Sequence, residues 1–559
     1  MTLNIKKNIK TKNHQSQIIV FSGIALTLIF TPWFNKDSLV IPKQIILVSL
    51  AAYLLLSFNK YFQKLAKNIF GRILLLNVLL IFLQLLLVLV FSKAPFDQQL
   101  YGRDGRLLGF LTLASLLVIF ISGITLFSVS DLEKISIGII LCGLFTSTYA
   151  IFQSFGIDIF KWESRTNQVI STLGNPNYVS AFAAATAMPF LVYCERLKYK
   201  RIFQLISIIF LVFTINRSDS IQGYLALALS FVIFTFILVF YKSRKFSLIF
   251  LLLALPGLVV VLVGTLGHGP LAPYLYKVSV QSRGDFWRSA FNAAIDNPIF
   301  GVGIDSFGDN YLIYRDQVAA NHEFAEFTDS AHNYILDYAA FGGFPLAFLN
   351  LTLIILTLSA FILSLRRLKE MNYTFIAVFV SWVSFQSTLL ISPLSLPILF
   401  WSFVQSAIIL NLAIFGWESE YDNNYQILKK SPIEKYQKVL SATISLMIMF
   451  PLFNTDRLYL KSLQTSDGNL GLKVVDMFPK SSNKYSTVGR LLLESGEGKF
   501  SLDVARKAID FNQENITAWA LIMVNPLASY DERVEAKGRI LKLDPYNKEV
   551  PSYEIFPNK

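Results

Sequence analysis

The chain has 559 residues, of which 54% are hydrophobic, 14% aromatic and only 16% charged. A soluble domain carries about 25% charged residues, and apolar runs recur here from near residue 17 to near residue 454, so the composition argues against a soluble globular protein and for a polytopic membrane protein. The formal net charge of +13 does not point to nucleic acid, because most basic residues stand in short connections between apolar runs and no basic, aromatic-interleaved soluble domain is present.

Lys6, Lys7, Lys10 and Lys12 precede the first apolar run, and no small-residue cleavage site follows it, so it reads as a retained span. Spans of about 20 apolar residues are expected at 17–34, 40–58, 72–92, 107–128, 134–155, 176–194, 202–216, 221–241, 246–266, 342–364, 373–392, 396–415 and 438–454. The second contains Lys43, and the seventh is short enough to be a broken helix. Cys142 and Cys194 fall in or beside apolar segments, without disulfide or metal spacing.

With the N-terminus in the cytoplasm, all the basic clusters share one side. They are Lys60, Lys64, Lys67 and Arg72; Arg196, Lys198, Lys200 and Arg201; Lys242, Arg244 and Lys245; Arg366, Arg367 and Lys369; and Lys429, Lys430 and Lys435. The positive-inside rule then places connections 93–106, 156–175 and 267–341, and the segment 455–559, on the outward face, opposite the cytoplasm. The long connection at 267–341 exceeds what joining two spans requires, which marks it as functional.

The tail differs in character. Asp476, Asp510 and Asp544 recur every 34 residues, each closing a similar stretch. That period is the tetratricopeptide signature of two helices per repeat, and such arrays bind a protein partner or brace a neighbouring segment. The expected fold is therefore all-α: a polytopic transmembrane bundle of about 12–13 spans over 1–454, with its large outer loop, and a small extracytoplasmic helical-repeat domain over 455–559.

The outer loops hold the residues suited to chemistry. His268, His322 and His332 lie in the large loop, with Arg283-x-x-x-Trp287-Arg288, Asn297-Pro298-Ile-Phe-Gly301-Val-Gly303 and Asp329-Ser-Ala-His332-Asn333. Asp329 is expected three residues before His332 on one helical face, where a carboxylate orients an imidazole for general-base work; the bland alternative is a helix cap beside an interfacial histidine. Gly301-Val-Gly303 follows no strand and lacks a third glycine, so it reads as a turn and not as a dinucleotide loop. His322 and Glu326 are spaced as two metal ligands, but no third is evident and no metal is assigned. Asn175-Pro176 marks a turn at the sixth span, with Asn177 as its cap, or with the amides of Asn175 and Asn177 as a polar rim that binds sugar or phosphate. Arg103, Arg106 and Arg217, with Gln222, stand at outer helix ends, where arginine runs against the charge rule unless an anion is bound there.

These motifs resemble the O-antigen ligase family. The resemblance rests on Gly174-Asn175-Pro176-Asn177, on Arg283-x-x-x-Trp287 followed by Asn297-Pro298 through Gly303, on Asp329-x-Ala-His332-Asn333, and on Tyr101-Gly102-x-x-x-Arg106-x-x-Gly109, and it spans roughly residues 90–415. It implies a glycosyltransferase that moves a glycan from a polyprenyl diphosphate (undecaprenyl diphosphate) donor to a lipid or glycan acceptor, as in lipopolysaccharide biosynthesis. Arg283 and His332 match the family's functional arginine and histidine. Arg103, Arg106, Arg217, Gln222, Asn175, Asn177, Asn333, Arg288 and Asp329 are the expected substrate contacts, and no cofactor is implied. The family's Ser-Arg-Gly at the eighth span reads Ser220-Ile221-Gln222-Gly223 here, with Arg217 three residues before it as a substitute. Glycan polymerases and protein O-oligosaccharyltransferases belong to the same family. A transporter, for example of bicarbonate, is the reading from another class; it conflicts with span centres nearly free of charge, Lys43 excepted.

Overall fold

The computed structural model describes residues 14–56, 63, 65–160, 162, 169–322, 327–368, 370–417 and 432–556. A helix stands at each expected span: α1 (His14–Leu28), α2 (Ile41–Leu55), α3 (Ile69–Phe91), α5 (Phe110–Leu126), α6 (Asp131–Ser154), α7 (Pro176–Cys194), α8 (Lys200–Arg217), α9 (Ile221–Lys242), α10 (Arg244–Thr265), α15 (Tyr334–Arg366), α16 (Tyr373–Leu389), α17 (Leu396–Phe415) and α18 (Pro432–Thr465). Eight of these, α3, α6, α7, α9, α10, α15, α17 and α18, are long and apolar enough to cross a membrane; α2, α5 and α16 are shorter apolar helices. The seventh expected span is one unbroken helix, α8, which ends on Arg217.

Between the spans lie α4 (Phe96–Tyr101), α11 (Ala272–Leu275), α12 (Val278–Asp296), α13 (Phe307–Tyr314) and α14 (Gln317–Asn321). The tail adds α19 (Gly468–Val475), α20 (Ser482–Glu494), α21 (Gly498–Phe511), α22 (Ile516–Val524) and α23 (Tyr530–Leu543). No strand occurs among the described residues. The chain is thus an all-helical polytopic bundle.

The bundle closes around α7 and α17. In α7 the run Ala181, Ala183, Ala184, Ala185 and Ala187 is fully buried, and small side chains let neighbouring backbones approach closely. Helices α6, α8, α9 and α16 pack on α7, while α5 and α15 pack on α17. Apolar packing is supplemented by buried polar pairs: Trp401 Nε1 donates to Thr27 Oγ1 at 2.9 Å, and Asn411 Nδ2 to the Ile124 carbonyl at 2.7 Å. At the periphery, only 6% of the residues in the apolar stretch of α10 are buried, against 89% in that of α17.

Side-chain bridges divide the loops between two ends of the bundle. At one end, Asn68 donates to the Ile414 carbonyl, Arg367 to Ala413 and Trp417 to Ser364. At the other, the connections 29–40, 92–109, 266–333 and 390–395 meet each other and the tail. Asp37 accepts from the Gly105 N–H, Asp305 from the Arg103 N–H, and Asp97 from the Lys480 N–H. Helix α18 runs unbroken through residue 454 and carries the chain from the bundle into the tail.

The Asn297-Pro298 segment has a packing role. Helix α15 breaks at Gly342 and Gly343, and the turn at 298–302 fills the break. The Val302 N–H donates to the Ala340 carbonyl at 2.7 Å, and the Phe344 N–H to the Pro298 carbonyl at 2.9 Å. Gly301 sits at φ +59°, and a Cβ there would stand 2.3 Å from the Ala340 oxygen. A Cβ on Gly343, at φ +72°, would stand 2.4 Å from the Pro298 oxygen. Both positions therefore demand glycine. The expected turn is present, and its glycines serve helix docking.

Candidate active site

The site begins with the loop between α4 and α5. Gln44, buried on α2, donates to the carbonyls of Tyr101 and Leu107 and to Thr112 Oγ1, which holds this loop against the bundle. Gly102 and Gly109 make its ends touch; a Cβ on Gly109 would lie 2.3 Å from the Gly102 nitrogen. The loop so fixed aims Arg103 and Arg106 at the large loop. Arg106 is buried with Nη1 3.0 Å from Asp329 Oδ1 and Nε 3.5 Å from Asp305 Oδ1. Arg103 Nη1 pairs with Asp309 at 2.5 Å.

Burial alone would lower the Arg106 pKa, but Asp329 and Asp305 outweigh it and leave it raised. Asp305 is pushed up to about 6, chiefly by burial, against the pull of Arg106 and the N–H groups of Arg103 and Leu108. Burial likewise opposes ionisation of Asp329, yet the Arg106 and Arg103 cations hold it below the usual carboxylate range.

His332 sits in the loop before α15, and here the structure corrects an expectation. Residues 329–333 are not helical; the helix begins at Tyr334, capped by the Asn333 side chain. Asp329 therefore does not share a helical face with His332, and its carboxylate is committed to Arg106. The imidazole is oriented by backbone instead, with Nδ1 3.1 Å from the Ser330 carbonyl. A neutral ring bonded this way donates from Nδ1 and keeps Nε2 as an acceptor. His332 is at φ +55°, a conformation that costs on the order of 1 kcal/mol or more for a non-glycine residue. Asp337 supports it by accepting from Ser330 Oγ and the Ala331 N–H, while Ser330 Oγ accepts the His332 N–H.

Helix α12 supplies the opposite wall. Phe286 stacks on the His332 ring at 5.1 Å between centroids. Arg283, one turn earlier, is mostly buried and has no hydrogen-bond or ion-pair partner among the described residues, and burial lowers its pKa. Its charge still reaches His332. Burial depresses the His332 pKa most; Arg283 and Arg106 lower it further, against the Ser330 carbonyl and Asp329, and the imidazole falls to about 4.

Two cavities share this region. The larger, about 590 Å³, is lined by Arg103, Asp104, Asn175, Phe286, Phe327, Asp329, His332, Pro393 and Asn483. The smaller, about 230 Å³, lies toward the helix ends and is lined by Lys43, Arg106, Asn175, Tyr178, Asp329 and the 393–397 segment. Asn175, Asp329 and Pro393 belong to both. Lys43, expected as a charge within a span, is the third residue of α2 and bonds the Thr172 carbonyl at 2.5 Å, so it belongs to this end of the bundle.

Other expected contacts, Arg283 and Asn333 among them, do not line either cavity. Arg288, on α12 with Arg283, is neutralised by Asp285 and Asp316. Arg217 bonds Ser154 at the end of α6 and lies over Phe155. Gln222 donates to the Asn177 carbonyl and accepts from Ser392, and Asn177 Oδ1 accepts from Ser220; these hold the starts of α7 and α9 together. Asn175 caps α7 and also reaches the cavities. His322 bonds Asp285 at 2.6 Å, whereas Glu326, its suggested co-ligand, lies outside the described residues. Asp305, Asp309, Phe286 and Asn483 were not singled out from sequence, and Lys43 was singled out only as a charge within a span. The available signal was that three arginine-bearing outer segments needed acids, and Asp305 and Asp309 stand in the loop opposite them.

The fold and the cavities define a polytopic helical membrane protein with a polar cavity region, lined in part by Arg103 and Arg106, at one end of the bundle. Residues 205–351, from within α8 through the first half of α15, match the family model described as O-antigen ligase, so this part of the multi-pass chain is similar to that family. The matched stretch includes Arg283 and His332. No curated protein matches the chain.

Proposed function

We propose that the joined cavities transfer a glycan from a polyprenyl diphosphate carrier to a lipid or glycan acceptor on the outer face of the cytoplasmic membrane. The observation that carries this reading is Arg283: a mostly buried guanidinium without a protein partner among the described residues, near enough to the cavity-lining His332 to lower its pKa. A buried, unpaired cation is costly unless an anion arrives. A diphosphate leaving group is such an anion, and a guanidinium fork matches its oxygens.

The acceptor hydroxyl attacks the anomeric carbon while the bond to the diphosphate oxygen breaks. The bonding pair leaves with the diphosphate, where Arg283 stabilises it. His332 Nε2 takes the hydroxyl proton. One displacement inverts the anomeric configuration. The His332 pKa lies at about 4, lowered in part by Arg283 and Arg106; diphosphate charge beside these arginines would offset their effect and raise the basicity of His332.

The basic clusters support a cytoplasmic N-terminus with the site and tail outside. The 34-residue spacing supports tetratricopeptide-like pairing in the tail, since Asp476 and Asp544 directly follow α19 and α23 and Asp510 lies in the last turn of α21. A growing polymer or a protein Ser/Thr fits the same chemistry as acceptor. The transporter reading loses its main support, because Lys43 stands at the cavity end of α2. The test is complementation. In cells lacking the gene, lipid-linked glycan accumulates unattached; the wild-type chain restores attachment and His332→Ala does not. Full attachment by His332→Ala overturns the base assignment.

A further inference from the structure

The tail is not a separate appendage. Its N-terminal part is locked onto the site loops by polar contacts: Ser481 Oγ donates to Asp104, and Lys484, 2% exposed, lies between Asp104 and Asp456. Farther along, Asn512 Nδ2 donates to Asp309, the partner of Arg103, at 3.0 Å, and Arg315 pairs with Asp544 at 2.7 Å. Contacts this numerous, several of them buried, fix the tail relative to the cavity.

This docking places one tail residue at the cavity itself. Asn483, the second residue of α20, lines the larger cavity together with His332. Its Oδ1 accepts from Arg103 Nη2 at 3.3 Å, which orients the amide and leaves its NH2 group as a donor. Phe286 and Phe327 line the same chamber. Flat apolar rings beside an oriented amide suit a saccharide, which offers an apolar ring face and a rim of hydroxyls. The smaller chamber, near the helix ends with Lys43 and apolar walls, suits the lipid-linked donor, so the tail side is left for the acceptor.

We infer that Asn483 contacts the acceptor saccharide, so that the helical tail determines which acceptor the site uses. The inference rests on the transferase reading above. It is tested with the full chain in detergent, using lipid-linked glycan and envelope acceptor, both prepared from cells lacking the gene. Asn483→Ala is expected to raise the half-saturating acceptor concentration at least tenfold while that of the donor stays within twofold. Asn483→Gln should recover part of the loss, and the unfolding temperature should not move, since the Asp104, Asp309 and Asp544 contacts remain. Unchanged acceptor dependence in Asn483→Ala, or an equal rise for donor and acceptor, overturns the inference while leaving the transferase reading intact. No transfer by the wild-type chain removes that reading, and the inference with it.

Discussion

Asp329 holds Arg106 and not His332: its Oδ1 lies 3.0 Å from Arg106 Nη1, while the imidazole is oriented by the Ser330 carbonyl. The carboxylate therefore sets the cation, and backbone sets the histidine. Arg106 is also the counter-charge of fully buried Asp305. Arg106→Ala leaves Asp305 without its cation and should destabilise the protein by about 3 kcal/mol, read as a lower unfolding temperature in detergent. Asp305→Asn, which keeps an acceptor for the Arg103 and Leu108 N–H groups, should cost much less. Equal losses in the two variants would show that the uncompensated charge of Asp305 is not what matters.

The pH dependence follows from His332. Its pKa is depressed to about 4, first by burial and then by Arg283 and Arg106. The imidazole is therefore neutral across the neutral range, and transfer at low donor concentration should show no histidine limb near pH 6.5. The same shift has a sign for stability. Between about pH 6.5 and 4 the unfolded chain binds a proton that the folded one does not, so stability contributed here falls as pH drops through that window. Arg283→Ala removes a like charge and should move the imidazole titration upward, as read by NMR of the ring. A downward movement would contradict the arrangement.

Arg283 and Arg288 stand five residues apart on α12, yet only Arg288 has carboxylate partners. Arg283→Lys keeps the charge and loses the fork, and should lower the transfer rate about 10²-fold. Arg288→Ala removes an exposed pair and should cost less than about 1 kcal/mol in stability, with the rate kept within a few-fold. A rate assay of both variants separates the roles; a larger rate loss at Arg288 would reverse them.

The break in α15 gives a stability prediction remote from the chemistry. Gly301→Ala forces a Cβ to 2.3 Å from the Ala340 oxygen at a positive φ. The cost should be about 2–4 kcal/mol, visible as reduced yield and a lower unfolding temperature. Gly257→Ala, where nothing lies within 4 Å of the new carbon, is the control and should be silent.

Orientation is checked by reporter fusions. Fusions after residues 198 and 368 should report cytoplasm, and fusions after 300 and 500 the opposite face. The bridges between the large loop and the tail require 300 and 500 to agree with each other. A cytoplasmic signal at both would invert the whole placement.

The sequence by itself determined the helices and the parity of their ends. Membrane thickness demands apolar runs of fixed length, and that demand is local, so it is written along the chain. It also marked Arg283 and His332, because polar residues stand out beside spans. The partners were decided only by tertiary structure. Arg106 meets Asp329 across 223 positions, and Arg103 meets Asn483 across 380. Such contacts leave no periodic trace, because loop closure and packing choose among several acids for each arginine. The expected Asp329–His332 pair shows the limit. Three-residue spacing implies contact only on a helix, and the helix capped by Asn333 begins at Tyr334, after both side chains. Lys43 shows the same limit from the other side: the apolar run around it fixed a span, but only the packing of α2 against the 171–175 segment decided that its charge belongs to the site.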